Sequence, residues 1–253
     1  IVNNTGRFYG GGMYLDSSDP ILTHVTIANN TASRGGGMRL DVSNPTLINV
    51  TIANNTGGGM YLDNSNPNLT HVTIIDNTEN NFGGGMFLLS SNPTLTNSII
   101  WDNSPESIYL YYGSEEPIIT YSDIEGGWEG EGNIDDDPLF NDDYTLQAGS
   151  PCIDTGIIIE GIEYYGSAPD MGSVEFFCNS EIYDECGVCD GDNSPNTGIC
   201  DCEGIPNGDA EDLGCGCGEA GPSGCDNECG STAVVDDCGV CDGDNSPNTG
   251  ICD

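Results

Sequence analysis

Near the end of the chain, Asp190, Asp192, Ser194, Asn196 and Asp201 occupy positions 1, 3, 5, 7 and 12 of the segment DGDNSPNTGICD, and the segment returns as Asp242, Asp244, Ser246, Asn248 and Asp253. Carboxylate, hydroxyl and amide oxygens in that rhythm form the donor set of a hard divalent cation, so Ca2+ is the expected cofactor and these residues its expected ligands. A second group offers ring chemistry. Tyr14, Arg39, Tyr61 and Phe87 fall at one position of a repeat and would stack into a stripe that suits a sugar ring, a packed partner or simply one another. The only histidines, His24 and His71, alternate with Asn49 and Asn97 at another position. Two coils apart they cannot share a metal ion, and a hydrogen-bonded polar row is the plainer expectation. Asp135–Asp137 and Asp142–Asp143 offer paired carboxylates, an acid and a base, although solvated turn acids fit the same pattern.

The elements that must position these groups come from internal repetition. GGGMYLDSSDPILTHVTIANNT from Gly10 is followed by GGGMRLDVSNPTLINVTIANNT from Gly35, GGGMYLDNSNPNLTHVTIIDNT from Gly57 and GGGMFLLSSNPTLTNSIIWDNS from Gly83. The unit is 22 residues, and spacings of 25, 22 and 26 arise from short insertions, Ala32–Arg34 and Glu79–Phe82, at one corner. Within each copy Met13 and Leu15 flank Tyr14, and Val25 and Ile27 flank Thr26, a period of two that predicts strands. Asp-Pro and Asn-Pro dipeptides, Asn-Asn-Thr corners and glycine triplets supply the turns. Short strands recurring once per unit predict a parallel solenoid, with like residues laddered along its axis. The expected inward columns are Met13/Met38/Met60/Met86, Leu15/Leu40/Leu62/Leu88 and Ile27/Ile52/Ile74/Ile100. Asn30, Asn55, Asn77 and Asn103 would form a corner column that tolerates left-handed backbone and links amide to amide.

These residues resemble the right-handed parallel β-helix proteins of bacterial surfaces and secretomes over roughly residues 1–177. The resemblance implies an all-β fold, with coils over 1–125, a degenerate last coil at Glu106–Ile124, and a C-terminal cap over 126–177 carried by DDDPLF, YTLQAGSPCIDTG and DMGSVEF. A cap is needed because the last coil otherwise leaves unpaired strand edges. Relatives of that kind include enzymes that cleave acidic polysaccharides, whose lyases use a lysine or arginine base and cationic groups to hold uronates. This chain has no lysine and three arginines, Arg7, Arg34 and Arg39, so no enzyme is expected.

The remaining 178–253 are a separate, acidic tail. They hold 12 of the 13 cysteines, and CGVCDGDNSPNTGICD occurs at Cys186–Asp201 and again at Cys238–Asp253, a period of 52 residues. Such density predicts disulfides in an oxidising compartment rather than zinc. One unit, Cys186 to Cys229, has eight cysteines, enough for four internal bridges, which leaves Cys152 and Cys178 to pair. The motif resembles cysteine-rich segments of secreted ADAMTS-type metalloproteases and repeats of large bacterial surface proteins. Proline at position 6 of the oxygen-rich loop departs from an EF-hand, and a thrombospondin-type calcium repeat is the nearer comparison.

The charge excludes other partners. With 42 acids against three basic residues, the chain has a net charge of −39, unsuited to nucleic acid or an anionic membrane surface. No apolar run approaches the roughly 20 residues of a membrane span. The sequence therefore predicts a secreted, cell-surface structural or adhesive protein, part of a stalk, fibre or adhesin, that associates with itself or with a surface glycan or protein. A carbohydrate-binding or polysaccharide-degrading β-helix is the alternative. Both ends are expected to be cuts through a longer precursor.

Overall fold

The computed structural model describes residues 1–111, 113–177, 202, 210, 213–218 and 220–245. The chain divides into two compact units, Ile1–Phe177 and Cys178–Asp253. Among the described residues there is no helix, and so none long and apolar enough to cross a membrane.

Twelve strands make the first unit: β1 (Met13–Asp16), β2 (Ile21–Ala28), β3 (Met38–Asp41), β4 (Thr46–Ala53), β5 (Met60–Asp63), β6 (Asn68–Ile75), β7 (Met86–Leu89), β8 (Thr94–Thr96), β9 (Ile99–Trp101), β10 (Ile108–Leu110), β11 (Ile118–Thr120) and β12 (Asp123–Ile124). All pair in parallel, in the orders β1-β3-β5-β7-β10 and β2-β4-β6-β8-β11, with β9 pairing β6 and β12. Each strand lies on its equivalent one coil away: Met38 pairs with both Met13 and Met60, and Leu40 with Leu15 and Leu62. This is the all-β parallel solenoid that the repeat predicts, of about four turns, with Glu106–Ile124 as its last coil.

Alternation drives the packing. The methionine, leucine and isoleucine columns, joined by Leu47/Leu69/Leu95 and Val50/Val72, form one core whose central members are wholly buried. Burying such side chains stabilises by roughly 1.5–3 kcal/mol each. Three corners per coil adopt left-handed backbone, as at Asn64 (φ 49°), His71 (φ 51°) and Asp76 (φ 54°) in the third. Asn, Asp and His tolerate that region best, which explains the His24/Asn49/His71/Asn97 column: these residues sit where β2, β4 and β6 bend and where β8 gives way to β9. The same comparison corrects the corner asparagines. The left-handed residues are their predecessors, Asn29, Asn54, Asp76 and Asp102, whereas Asn30, Asn55, Asn77 and Asn103 are buried and serve the stack through their amides.

That amide ladder is continuous. Asn55 Nδ2 donates to Asn77 Oδ1 at 2.9 Å and to the Ile27 carbonyl at 3.0 Å, while the Asn30 backbone N–H donates to Asn55 Oδ1 at 2.9 Å. A serine column, Ser43, Ser65 and Ser91, works likewise: each hydroxyl accepts from the backbone N–H of the preceding coil's serine or its equivalent, Ser18. The middle glycine of the second and fourth triplets is required by proximity, because a Cβ on Gly36 or Gly84 would collide with the carbonyl of Thr56 or Ser104, and that of the third, Gly58, by its left-handed backbone at φ +87°.

The segment after the coils does more than close the end. Trp128 packs against the end of the core and Ile134 bridges to Asp123. The chain then runs back along one side of the solenoid instead of staying at its end. Phe140 and Tyr144 cover Ala28, Ala53 and Ile75, and Leu146, Cys152 and Met171 pack with Ile99.

In the second unit, three disulfides are described: Cys202–Cys217, Cys215–Cys229 and Cys225–Cys241. The last joins one 52-residue unit to the next, so the bridges do not close within a single repeat. Cys152 is a free, buried thiol, which overturns its expected pairing with Cys178; the latter lies outside the described residues.

Candidate functional site

Parallel register places Tyr14, Arg39, Tyr61 and Phe87 in one outward column, and Tyr109 of the last coil extends it. From Arg39 to Tyr109 the faces of these side chains are turned on one another. The Arg39 guanidinium lies 4.3 Å from the Tyr9 ring centroid and 4.4 Å from that of Tyr61, and it pairs with Asp41 at 2.7 Å and Asp63 at 3.3 Å. Burial alone would lower its pKa, but the hydrogen bond and charge of Asp41 outweigh it and the pKa rises. Tyr61 stacks on Phe87 with centroids 4.5 Å apart and planes 12° from parallel, and Phe87 stacks on Tyr109 at 5.5 Å. Arg39 is 5% and Phe87 9% exposed, so these two members of the stripe are sealed by their neighbours. Tyr14 remains exposed, with its hydroxyl donating to Asp41 at 2.7 Å; that bond raises the phenol's pKa.

Unequal repeats shape the adjoining surface. The insertions ending at Arg34 and Phe82 flank the third coil, which has none, and a cleft of about 480 Å³ opens between them over Gly57, Gly58, Tyr61 and Phe87. Glu79 builds one wall by accepting the backbone N–H groups of Asn81 and Phe82 at 2.6 and 2.7 Å. Phe82, Tyr109 and Tyr111, which extend the aromatic cluster, were not among the expected site residues. The signal for Tyr109 was present, since IYL of the last coil aligns with MFL of Met86–Leu88.

The histidine column is a structural row partly hidden by the returning segment. Asn49 pairs with His24 at 3.2 Å and Asn97 with His71 at 3.0 Å. His71 is buried, and desolvation lowers its pKa against the pull of the Asp170 and Gly172 backbone, so the neutral ring accepts from Asn97. Asn97 also exchanges two 2.8 Å hydrogen bonds with the backbone of Ile157. Ser173 bonds the Thr51 hydroxyl at 2.7 Å and, through its N–H, that of Thr73 at 2.9 Å. Gly172, at φ +100°, fits because a Cβ there would crowd Ile99 and Thr73.

Three acids lie under or within this layer. Burial pushes Asp123 up to about 7, although the Cys152 thiol donates to it at 3.2 Å and the Asp136 N–H at 3.3 Å. Burial likewise raises Asp170 to about 6 and, with help from the charge of Asp170, Glu175 to about 7. Cys152 is held as a thiol, its pKa raised by burial and then by Asp123. Of the paired-carboxylate candidates, Asp135, Asp137 and Asp143 accept backbone N–H groups of Gly126, Leu139 and Thr145, the work of turn acids. Asp137 and Asp142 also line a cleft with Asp76, Asp102 and Tyr144, where burial and then the charge of Asp102 raise the Asp76 pKa.

In the tail, Asp190, Asp192, Ser194, Asn196 and Asp201 lie outside the described residues, as do Ser246, Asn248 and Asp253. Asp242 and Asp244 lie inside them. Among the described residues no group of three or more His, Cys, Asp or Glu side chains is arranged to hold a metal ion. A residue the sequence did not single out organises the second motif. Asp236 accepts the N–H groups of Cys238, Val240 and Asn245 at 2.9, 2.8 and 3.1 Å, which lowers its pKa. A Cβ on Gly243 would strike that carboxylate, which accounts for the glycine of CDGDN.

The family model for the right handed beta helix region matches residues 1–133, more than half of the chain. The chain belongs to the right-handed β-helix family. The match ends within a residue of Ile134, where the last coil has been closed. No curated protein and no solved structure matches the chain. The β-helix family includes both enzymes and non-enzymes, so membership fixes the fold and leaves the activity to the site. The β-helix domain and the disulfides are together consistent with an extracellular protein.

Proposed function

We propose that the chain is an extracellular structural module, a length of stalk, fibre or adhesin, and not a catalyst. The observation that supports this most is the column of Tyr14, Arg39, Tyr61 and Phe87: the rings of Tyr61 and Phe87 and the guanidinium of Arg39 stack on their own neighbours, and the arginine is neutralised by Asp41 and Asp63. Groups stacked in this way stiffen a rod, and of the Arg39 guanidinium only Nη1, itself buried, is left without a hydrogen-bond partner. Glycan arrays and polysaccharide-cleavage assays on the whole protein test it. No cleavage, and no glycan retention that Tyr61→Ala removes, is the expected result; turnover of any polysaccharide overturns the proposal.

The cleft beside Phe82 favours a second reading, a carbohydrate-binding face, because Phe82 is 40% exposed and offers a ring at the cleft's edge. Retention of a defined glycan by the wild type and its loss in Phe82→Ala would select that reading. Calcium and self-association belong to the structural proposal through Asp190, Asp192, Asp242 and Asp244. The tail carries 18 acids and no basic residue, a charge that bound Ca2+ would offset. Electron microscopy with and without chelator tests this: filaments that dissolve on chelation support it, and particles indifferent to calcium count against it.

A further inference from the structure

The two insertions turn the surface over the third coil into a slot that lies across the solenoid. Neighbouring coils are about 4.8 Å apart, so the insertion ending at Arg34 and the one that begins at Glu79, two coils away from each other, stand roughly 10 Å apart. A long polysaccharide laid along the axis would run into either wall. The slot admits a short ligand instead, and its volume of about 480 Å³ sits in the lower part of the roughly 300–1,000 Å³ common to small-molecule sites.

The floor of the slot is already engaged, because Tyr61 stacks on Phe87 and on the Arg39 guanidinium. Two exposed rings, Phe82 and Tyr111, and two charged groups of opposite sign are left. Glu79 is fixed by its Oε2, which accepts the N–H groups of Asn81 and Phe82, while its Oε1 has no hydrogen-bond partner among the described residues. On the other wall the Arg34 guanidinium lies 5.8 Å from the Tyr61 ring centroid and forms no ion pair among the described residues.

We propose that the slot binds a sugar carrying a free ammonium group, a hexosamine unit, and in this it rests on the carbohydrate-binding reading above. The C–H face of the sugar lies on Phe82 or Tyr111, the ammonium donates to Glu79 Oε1, and the Arg34 guanidinium donates to sugar hydroxyls. Opposite charges on the two walls set the orientation, since an ammonium turned towards Arg34 is repelled. The sign of the ligand follows from the rest of the unit. Ile1–Phe177 carries 24 acids against three arginines, a net charge of −21, which opposes the approach of an anionic sugar and draws in a cationic one. A neutral sugar would use the rings and leave the open oxygen of Glu79 without its charged partner.

Titration calorimetry of the whole protein with the glucosamine disaccharide and its N-acetylated counterpart tests this. Mildly acidic solution keeps the sugar amine protonated, and about 0.15 M salt screens the diffuse charge of the chain. The free-amine sugar should bind about ten- to a hundredfold more tightly. Glu79→Gln keeps an oxygen for the Asn81 and Phe82 N–H groups and should abolish most of that preference, whereas Asp142→Asn, an acid of the other cleft, should leave it intact. Phe82→Ala should weaken both sugars. A preference that survives Glu79→Gln comes from diffuse charge and overturns the proposal. Equal binding of the two sugars, both weakened by Phe82→Ala, overturns the ammonium assignment and leaves the carbohydrate-binding reading standing. Binding of neither overturns both.

Discussion

Between Ile1 and Phe177 order is made by repetition: amides of one coil are answered by the next, and the asparagine ladder runs from Asn30 to Asn103 without a covalent tie. In the described part of the tail, order is made by sulfur, with three overlapping bridges that each join cysteines 14–16 residues apart and no apolar core of comparable size. The difference lies in what each sequence can bury. The solenoid has alternating strands that give a dry interior, whereas the tail is rich in Gly and Asp and must restrict its unfolded chain instead. One region fails by losing a rung, the other by losing a bond.

The largest expected effect separates the two outright. Reduction should unfold the tail, at about 2–5 kcal/mol per bridge, and leave the solenoid's thermal transition in place, as followed by hydrogen exchange along the chain. A solenoid that melts with the tail would show that the first unit depends on the second. Next in size is Asn55→Ala, which strips a buried amide from both neighbouring coils and leaves the Ile27 carbonyl and the Asn77 Oδ1 short of a donor. A loss of about 2–4 kcal/mol in urea unfolding, confined to the solenoid, is expected.

Arg39→Ala should cost somewhat less, about 2–3 kcal/mol, through two lost ring contacts and two carboxylates left facing each other. Arg39→Lys should recover only part of it, because an ammonium stacks less well between Tyr9 and Tyr61. Equal stability of wild type and Arg39→Ala would reduce the stack to a surface accident.

The smallest effect concerns the layer folded along the solenoid. Asp123, Asp170 and Glu175 have raised pKa values in the folded chain, so their protonated forms favour it. Their contribution is fully present below the ordinary carboxylate range and is lost as pH rises through about 6 to 7. His71 works in the opposite direction, since its lowered pKa makes stability fall as pH drops below its ordinary 6.5. The protection factors of residues 150–177, corrected for the intrinsic exchange rate at each pH, should therefore be highest in mildly acidic solution and lower at pH 8, and Asp123→Asn should flatten the alkaline arm. Protection that rises steadily from pH 5 to 8 would contradict the assignment of the three acids.

The coils were legible because a period of two inside a repeat of 22 leaves one way to bury Met13, Leu15 and Ile27 together. The aromatic column and its stacking on itself were legible for the same reason, but the rest of what holds Arg39 was not. That depends on Tyr9, which lies outside the aligned unit, and on Asp41 and Asp63, whose conspicuous place in MRLD and MYLD gave no hint of a pairing with Arg39. The return of residues 135–177 along the side was hidden because Asn97, Thr51 and Thr73 look alike whether they face water or Ile157 and Ser173. In the tail, periodicity suggested closed units, yet bridges follow distance between Cα atoms and not the phase of the repeat, as Cys225–Cys241 shows.

The layer bearing Phe140, Tyr144 and Met171 sheathes one flank of a three-cornered prism along the strands that carry Ala28, Ala53 and Ile75. Were first units of this kind to associate, as the structural proposal has it, the sheathed flank would be withheld from contact and neighbours would be keyed by the side each cannot offer.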